Sequence, residues 1–156
     1  MTDQKEKLTA HFTVGEMTRS SSHPEIYNVP SPATIANLRR VFQWLERLRR
    51  EYSDRYADFP EQDLPIKVSS GYRSERLNRA VGGARDSNHL TGSAVDIVCK
   101  DCTQAVQYAA CLIDLFTAAG ERWDELIVER KFAHFWLHFA VRERNNRCHV
   151  NVVEKR

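Results

Sequence analysis

The chain has 156 residues, 42% hydrophobic and 28% charged, with 23 basic against 21 acidic side chains and a net charge of +2. That balance excludes a disordered or fibrous chain and a strongly cationic nucleic-acid binder, and the length predicts one domain spanning 1–156 with a core that needs no disulfide staples. Six histidines and four cysteines are the residues left with possible chemistry.

The opening MTDQKEKLTAHF is polar and carries no apolar run of signal-peptide length. It predicts a protein that is cytoplasmic as synthesised. No membrane span is expected, because no stretch approaches ~20 consecutive apolar residues. Phe12, Val14 and Met17 form a short apolar cluster before the turn-rich SSSHPEIYNVPSP. Ser31 followed by Pro32 reads as a helix start, a hydroxyl cap and then a proline whose missing N–H costs nothing. Ile35, Leu38, Phe42, Leu45 and Leu48 recur at helical spacing and carry the helix to about Tyr52. Arg39, Arg40, Arg47, Arg49 and Arg50 read as its solvated face.

After the loop SDRYADFPEQDLP, Ile66–Ser70 alternates like a short strand and a small helix is expected over Glu75–Ala80. VGGARDSNHLTGS is a loop by composition, and SAVDIVC reads as a strand. A second helix is predicted from Thr103 to Ala119, with Gly120 as its stop. Strands are expected at Glu125–Glu129, His134–Val141 and His149–Val153. Helices and strands mix without regular β-α-β alternation, which predicts an α+β fold: an antiparallel sheet with helices packed on one face. Cys99 and Cys102 form a C-x2-C with no partner pair at finger spacing, so reduced cysteines near a strand end are the better reading.

The loop-strand unit SNHLTGSAVD sets His89 and Asp96 seven residues apart, and an ionised Asp96 between Val95 and Ile97 needs a partner or a cation. In HFWLHFAV, alternation places His134, Trp136 and His138 on one face and Phe135, Leu137 and Phe139 on the other. His134 and His138 stand ~13 Å apart on a continuous strand, so both cannot bind one metal. Histidines hydrogen-bonded within the sheet remain the alternative at this point.

Three stretches together resemble a known family. Ser70-Gly71-Tyr72-Arg73-Ser74, with Asn78 and Val81-Gly82-Gly83, is followed by Ser87, His89, Gly92, Ala94 and Asp96, then by Trp136-Leu137-His138. The order and spacing are similar to those of the zinc D-alanyl-D-alanine carboxypeptidase family, in its small bacterial and phage endolysin branch. HFTVGEMTRSSS and VPSPATIANLRR also resemble the family's N-terminal segment, so the likeness covers nearly the whole chain.

The resemblance implies one Zn²⁺ ligated by His89, Asp96 and His138. Two imidazoles and a carboxylate leave a fourth position open, as in catalytic zinc sites. It implies hydrolysis of an amide bond in peptidoglycan stem peptides through a metal-activated water, by a monomer acting as carboxypeptidase or endopeptidase. Arg73 is the implied anchor for a substrate carboxylate or an oxyanion, and Ser87 a further substrate contact. Glu129 is the choice for the proton-shuttling base, placed opposite His134 by a hairpin connected through Arg130–Ala133; His134 is the reserve. Glu125 stands where relatives usually carry glutamine and faces the site if the register shifts. The alternative is a zinc-bearing wall-binding module of the same fold without catalysis. Two routes to the wall material stay open: a prophage lysis product that acts after holin-type release, and recycling of wall fragments inside the cell.

Overall fold

The structure, a computed structural model, describes residues 4–156. The first elements follow from their caps. Thr13 and Glu16 cap each other's backbone at α1 (Val14–Thr18), and Ser31 Oγ accepts the Thr34 N–H at the start of α2 (Pro32–Tyr56). α2 continues a turn beyond the expected Tyr52 because that turn has tertiary partners. Tyr52 donates to Gln107 Oε1 at 3.2 Å, and Arg55 pairs with Asp114 at 2.9 Å, both on the second long helix.

Next come β1 (Val68–Ser70), α3 (Glu75–Ala80), a short 3-10 turn (Asn88–Thr91) and β2 (Ala94–Cys99). α4 (Cys102–Ala119) is capped by Asp101 and ended by Gly120 in the left-handed region, φ 65°. The chain finishes with β3 (Glu125–Lys131), β4 (His134–Ala140) and β5 (His149–Glu154). The five strands lie in the order β1-β2-β4-β3-β5. Every pair is antiparallel except β3 with β5. This is the expected α+β architecture with one parallel pair at its edge. β4 ends at Ala140 beside Glu125, where β3 begins, and the connection crosses to the outer side of β3 so that His149 also starts beside Glu125. β5 must then run the same way as β3.

The two faces of the sheet have different fates. Val95, Ile97, Leu126, Leu137 and Phe139 are buried against α2 and α4. Phe116 of α4 stacks on Trp44 of α2 at 3.7 Å and meets Phe139 edge-on at 6.0 Å. Burial of each such side chain contributes ~1.5–3 kcal/mol, so the helices hold this face firmly. Asp96, Glu125, Glu129, Trp136 and His138 alternate with the core residues and therefore share the opposite face.

The β3–β4 hairpin differs from the expected one. β3 runs on to Lys131, which pairs with His134, and the turn is only Phe132-Ala133. Glu129 thus lies opposite Trp136 rather than His134. The shift is two residues, one full pleat period, so Glu129 keeps the face shared with His138 and stands closer to it. All four cysteines are free. Cys99 is buried at the end of β2, where burial pushes its thiol up to about 12, and Cys102 is exposed. No helix among the described residues is long and apolar enough to cross a membrane.

Candidate metal centre

Asp96 and His138 are brought together by register alone. They are directly opposed across β2 and β4 and project from the open face, whereas Val95 and Ile97 point into the core. His89 arrives from the 3-10 turn that precedes β2. Ser87 Oγ accepts the His89 N–H at 3.2 Å, and the Arg73 N–H donates to the His89 carbonyl at 3.0 Å. Gly92 closes the turn at φ 73°, and a Cβ there would come within 2.8 Å of Thr34. Only glycine satisfies both the backbone and the space.

His89 is 1% exposed, and its Nδ1 lies 2.6 Å from the Gly71 carbonyl oxygen. A carbonyl only accepts, so Nδ1 carries the proton and Nε2 presents a lone pair. Nε2 is buried without a hydrogen-bond partner, 3.4 Å from Asp96 Oδ1. On the other side of Asp96, His138 Nδ1 lies 3.3 Å from the same oxygen. One potential ligand atom from each of the three residues falls within 4.8 Å of the others.

The electrostatics match that geometry. Burial above all pulls His89 below its usual range and keeps it neutral. Burial opposes ionisation of Asp96, yet His89 and His138 outweigh it and hold the carboxyl well below the usual carboxylate range. For His138, burial is overcome by hydrogen bonds to Asp96 and Glu125, which raise it to about 10. An ionised carboxylate therefore sits between two imidazoles, one with an orphaned buried lone pair. These residues fit a divalent cation, which would give that lone pair a partner and neutralise the buried charge.

Arg73 follows β1 and lies in reach of the same charges. Its Nε is buried without a partner. Desolvation draws its pKa down, against the opposing fields of Asp96 and Glu129, but a guanidinium stays charged. Glu129 is 12% exposed at its side chain and has Lys155 Nζ 3.5 Å away. His134 is exposed at the hairpin end, outside the cluster, and Ser87 is partly buried at the cap of the 3-10 turn.

Glu125, expected to face the site if the register shifts, does face it: its Oε1 lies 3.2 Å from His138 Nε2. Asn88, Asp124, Arg142 and Arg147 surround this contact and were not anticipated. Their pairings span 23 to 54 residues, beyond any local pattern. A cavity of about 830 Å³ lies elsewhere, between α2 and residues 57–63, away from His89, Asp96 and His138.

Gly71 links the centre to the N-terminal segment. A Cβ at this position would come within 2.5 Å of the Met17 carbonyl oxygen, while the Gly71 carbonyl itself orients His89. Gly71→Ala is expected to lose ~1–3 kcal/mol of stability through overpacking. Urea unfolding measures this, and an unchanged midpoint would show that the segment yields freely.

Comparison with known proteins bears on the same residues. Residues 10–120 match the family model described as Peptidase M15. A zinc D-Ala-D-Ala carboxypeptidase of Streptomyces albus G is 31% identical over 87 residues, which are 56% of this chain and 31% of that protein. The chain thus aligns with about a third of that relative's length.

Proposed function

This chain belongs to the Peptidase M15 family, and from that premise we propose that it is a zinc-dependent peptidase hydrolysing an amide bond in peptidoglycan stem peptides. The His89–Asp96–His138 group, two buried imidazoles about a partly buried carboxylate with the Nε2 of His89 unpartnered, is the observation that carries this reading. These three residues hold one zinc ion. Zinc at such a site polarises a carbonyl as a Lewis acid and brings the pKa of a bound water from 15.7 to about 7.

The remaining work falls to the chain's own groups. Arg73, cationic and with an unpartnered Nε, receives either a substrate carboxylate or the oxyanion that forms on the scissile carbonyl. A carboxylate there corresponds to carboxypeptidase cleavage, which releases a terminal D-alanine. The oxyanion forms in terminal and internal cleavage alike, so an Arg73 that receives it fits a carboxypeptidase and an endolysin-type endopeptidase equally. Glu129 accepts the proton of the attacking water at its carboxylate and returns it to the leaving amine. His134 is the less suitable proton carrier, being exposed and ~13 Å along the strand from His138. Ser87 Oγ accepts from the His89 N–H and still has its own hydrogen to donate to substrate.

Mass spectrometry of muropeptides digested by the protein with one equivalent of zinc tests the proposal. The expected products are stems shortened by one alanine or separated at an internal bond. Muropeptides left whole, alongside a relative that digests them, would overturn the enzymatic reading and leave a zinc-bearing binding module.

A further inference from the structure

His138 meets a carboxylate through each of its ring nitrogens. Nδ1 lies 3.3 Å from Asp96 Oδ1, and Nε2 lies 3.2 Å from Glu125 Oε1. The nitrogen turned towards Asp96 is therefore Nδ1, and Glu125 stands behind the ring. The set of atoms able to hold a metal accordingly comprises His89, Asp96 and His138 and not Glu125.

Glu125 is itself fixed. Asn88 Nδ2 donates to Glu125 Oε1 at 2.5 Å and to Asp124 Oδ2 at 2.8 Å. Arg142 Nε donates to Asn88 Oδ1 at 2.7 Å, so the amide cannot flip without losing contacts on both sides. Asp124 is fully buried and takes two bonds from the Arg147 guanidinium, at 3.0 and 2.8 Å. Asn88 precedes His89 in the chain, which ties the same network to the other imidazole by one peptide bond.

We infer that Glu125 is a positioning residue for the metal centre. Its carboxylate accepts the Nε2–H of His138, so that Nδ1 is the nitrogen the metal takes in place of a proton, and Asn88 holds the carboxylate in place. A carboxylate behind a ligating histidine fixes the tautomer and ring orientation and raises the ligand's basicity. The inference rests on the zinc reading above and adds to it a residue that touches neither metal nor substrate.

Zinc dissociation constants, measured by competition with a chromophoric chelator, test it on folded protein. Glu125→Ala is expected to weaken zinc about 10–100-fold. Glu125→Gln, whose amide oxygen still accepts from Nε2–H, recovers most of that loss. Asn88→Ala, which unties Glu125 without altering His138, weakens zinc in the same direction by less and serves if Glu125→Ala does not fold. Thermal unfolding of the metal-free proteins separates this from a merely structural role. A variant that is less stable but binds zinc as wild type does would overturn the inference and leave the peptidase reading intact. Wild-type protein that binds no zinc would overturn both.

Discussion

Glu129→Gln is expected to lower turnover about 10²–10⁴-fold, the usual contribution of a general base, while zinc stays bound. The substitution keeps the size of a side chain that is 12% exposed and removes its charge and its ability to take a proton. Glu129 shares the open face with His138, separated from it by the diagonal of the β3–β4 pairing, with Ile127 directly opposite the histidine. Its charge also acts on Arg73, so the proposed base and the proposed anchor lie within electrostatic reach of each other. KM should change little, because the interaction lost is made in the transition state rather than in the bound substrate. Single-turnover and steady-state rates on a purified muropeptide measure the effect. Unchanged turnover would remove Glu129 from the proton transfer.

His89→Ala is expected to abolish both zinc binding and hydrolysis. His89 is 1% exposed and supplies the only buried imidazole nitrogen of the cluster that has no hydrogen-bond partner among the described residues. Truncation removes a whole ligand, so the loss of affinity should exceed the ~10–100-fold seen when a residue behind a ligand is changed. His134→Ala is the control. That histidine is exposed at the hairpin end, and its removal should leave the zinc content unchanged. Metal analysis after dialysis reads both variants, and stoichiometric zinc in His89→Ala would refute the ligand assignment.

Much of this was legible in the sequence where local chemistry decides structure. Ser31-Pro32 opens α2 and Gly120 closes α4, as their caps predict. The alternation of HFWLHFAV correctly divides a core face from a face carrying His138. Spacing alone left the His89–Asp96 pair ambiguous. The family motifs tie a loop, a strand and a distant second strand together, and the structure brings His89, Asp96 and His138 within reach of one another.

What was not legible depends on long-range pairing. The β3–β4 turn is Phe132-Ala133, with Phe132 at φ 54°, and lacks the glycine or asparagine that marks a two-residue hairpin. Its register was therefore misplaced by two residues. The parallel β3–β5 pair follows from where β4 ends, which no local signal encodes. Glu125 is marked in the sequence only as a residue that a register shift would turn to the site. Its role depends on Asn88, 37 residues away, and on His138, 13 residues away.

In the proposed function, one zinc ion held by His89, Asp96 and His138 equips this chain to hydrolyse peptidoglycan peptides. Titration of zinc into metal-free protein, with muropeptide hydrolysis followed by mass spectrometry, tests it most directly. Hydrolysis is expected to rise with added zinc and to level at one equivalent. Hydrolysis by metal-free protein, or no hydrolysis once zinc is stoichiometrically bound, would contradict it.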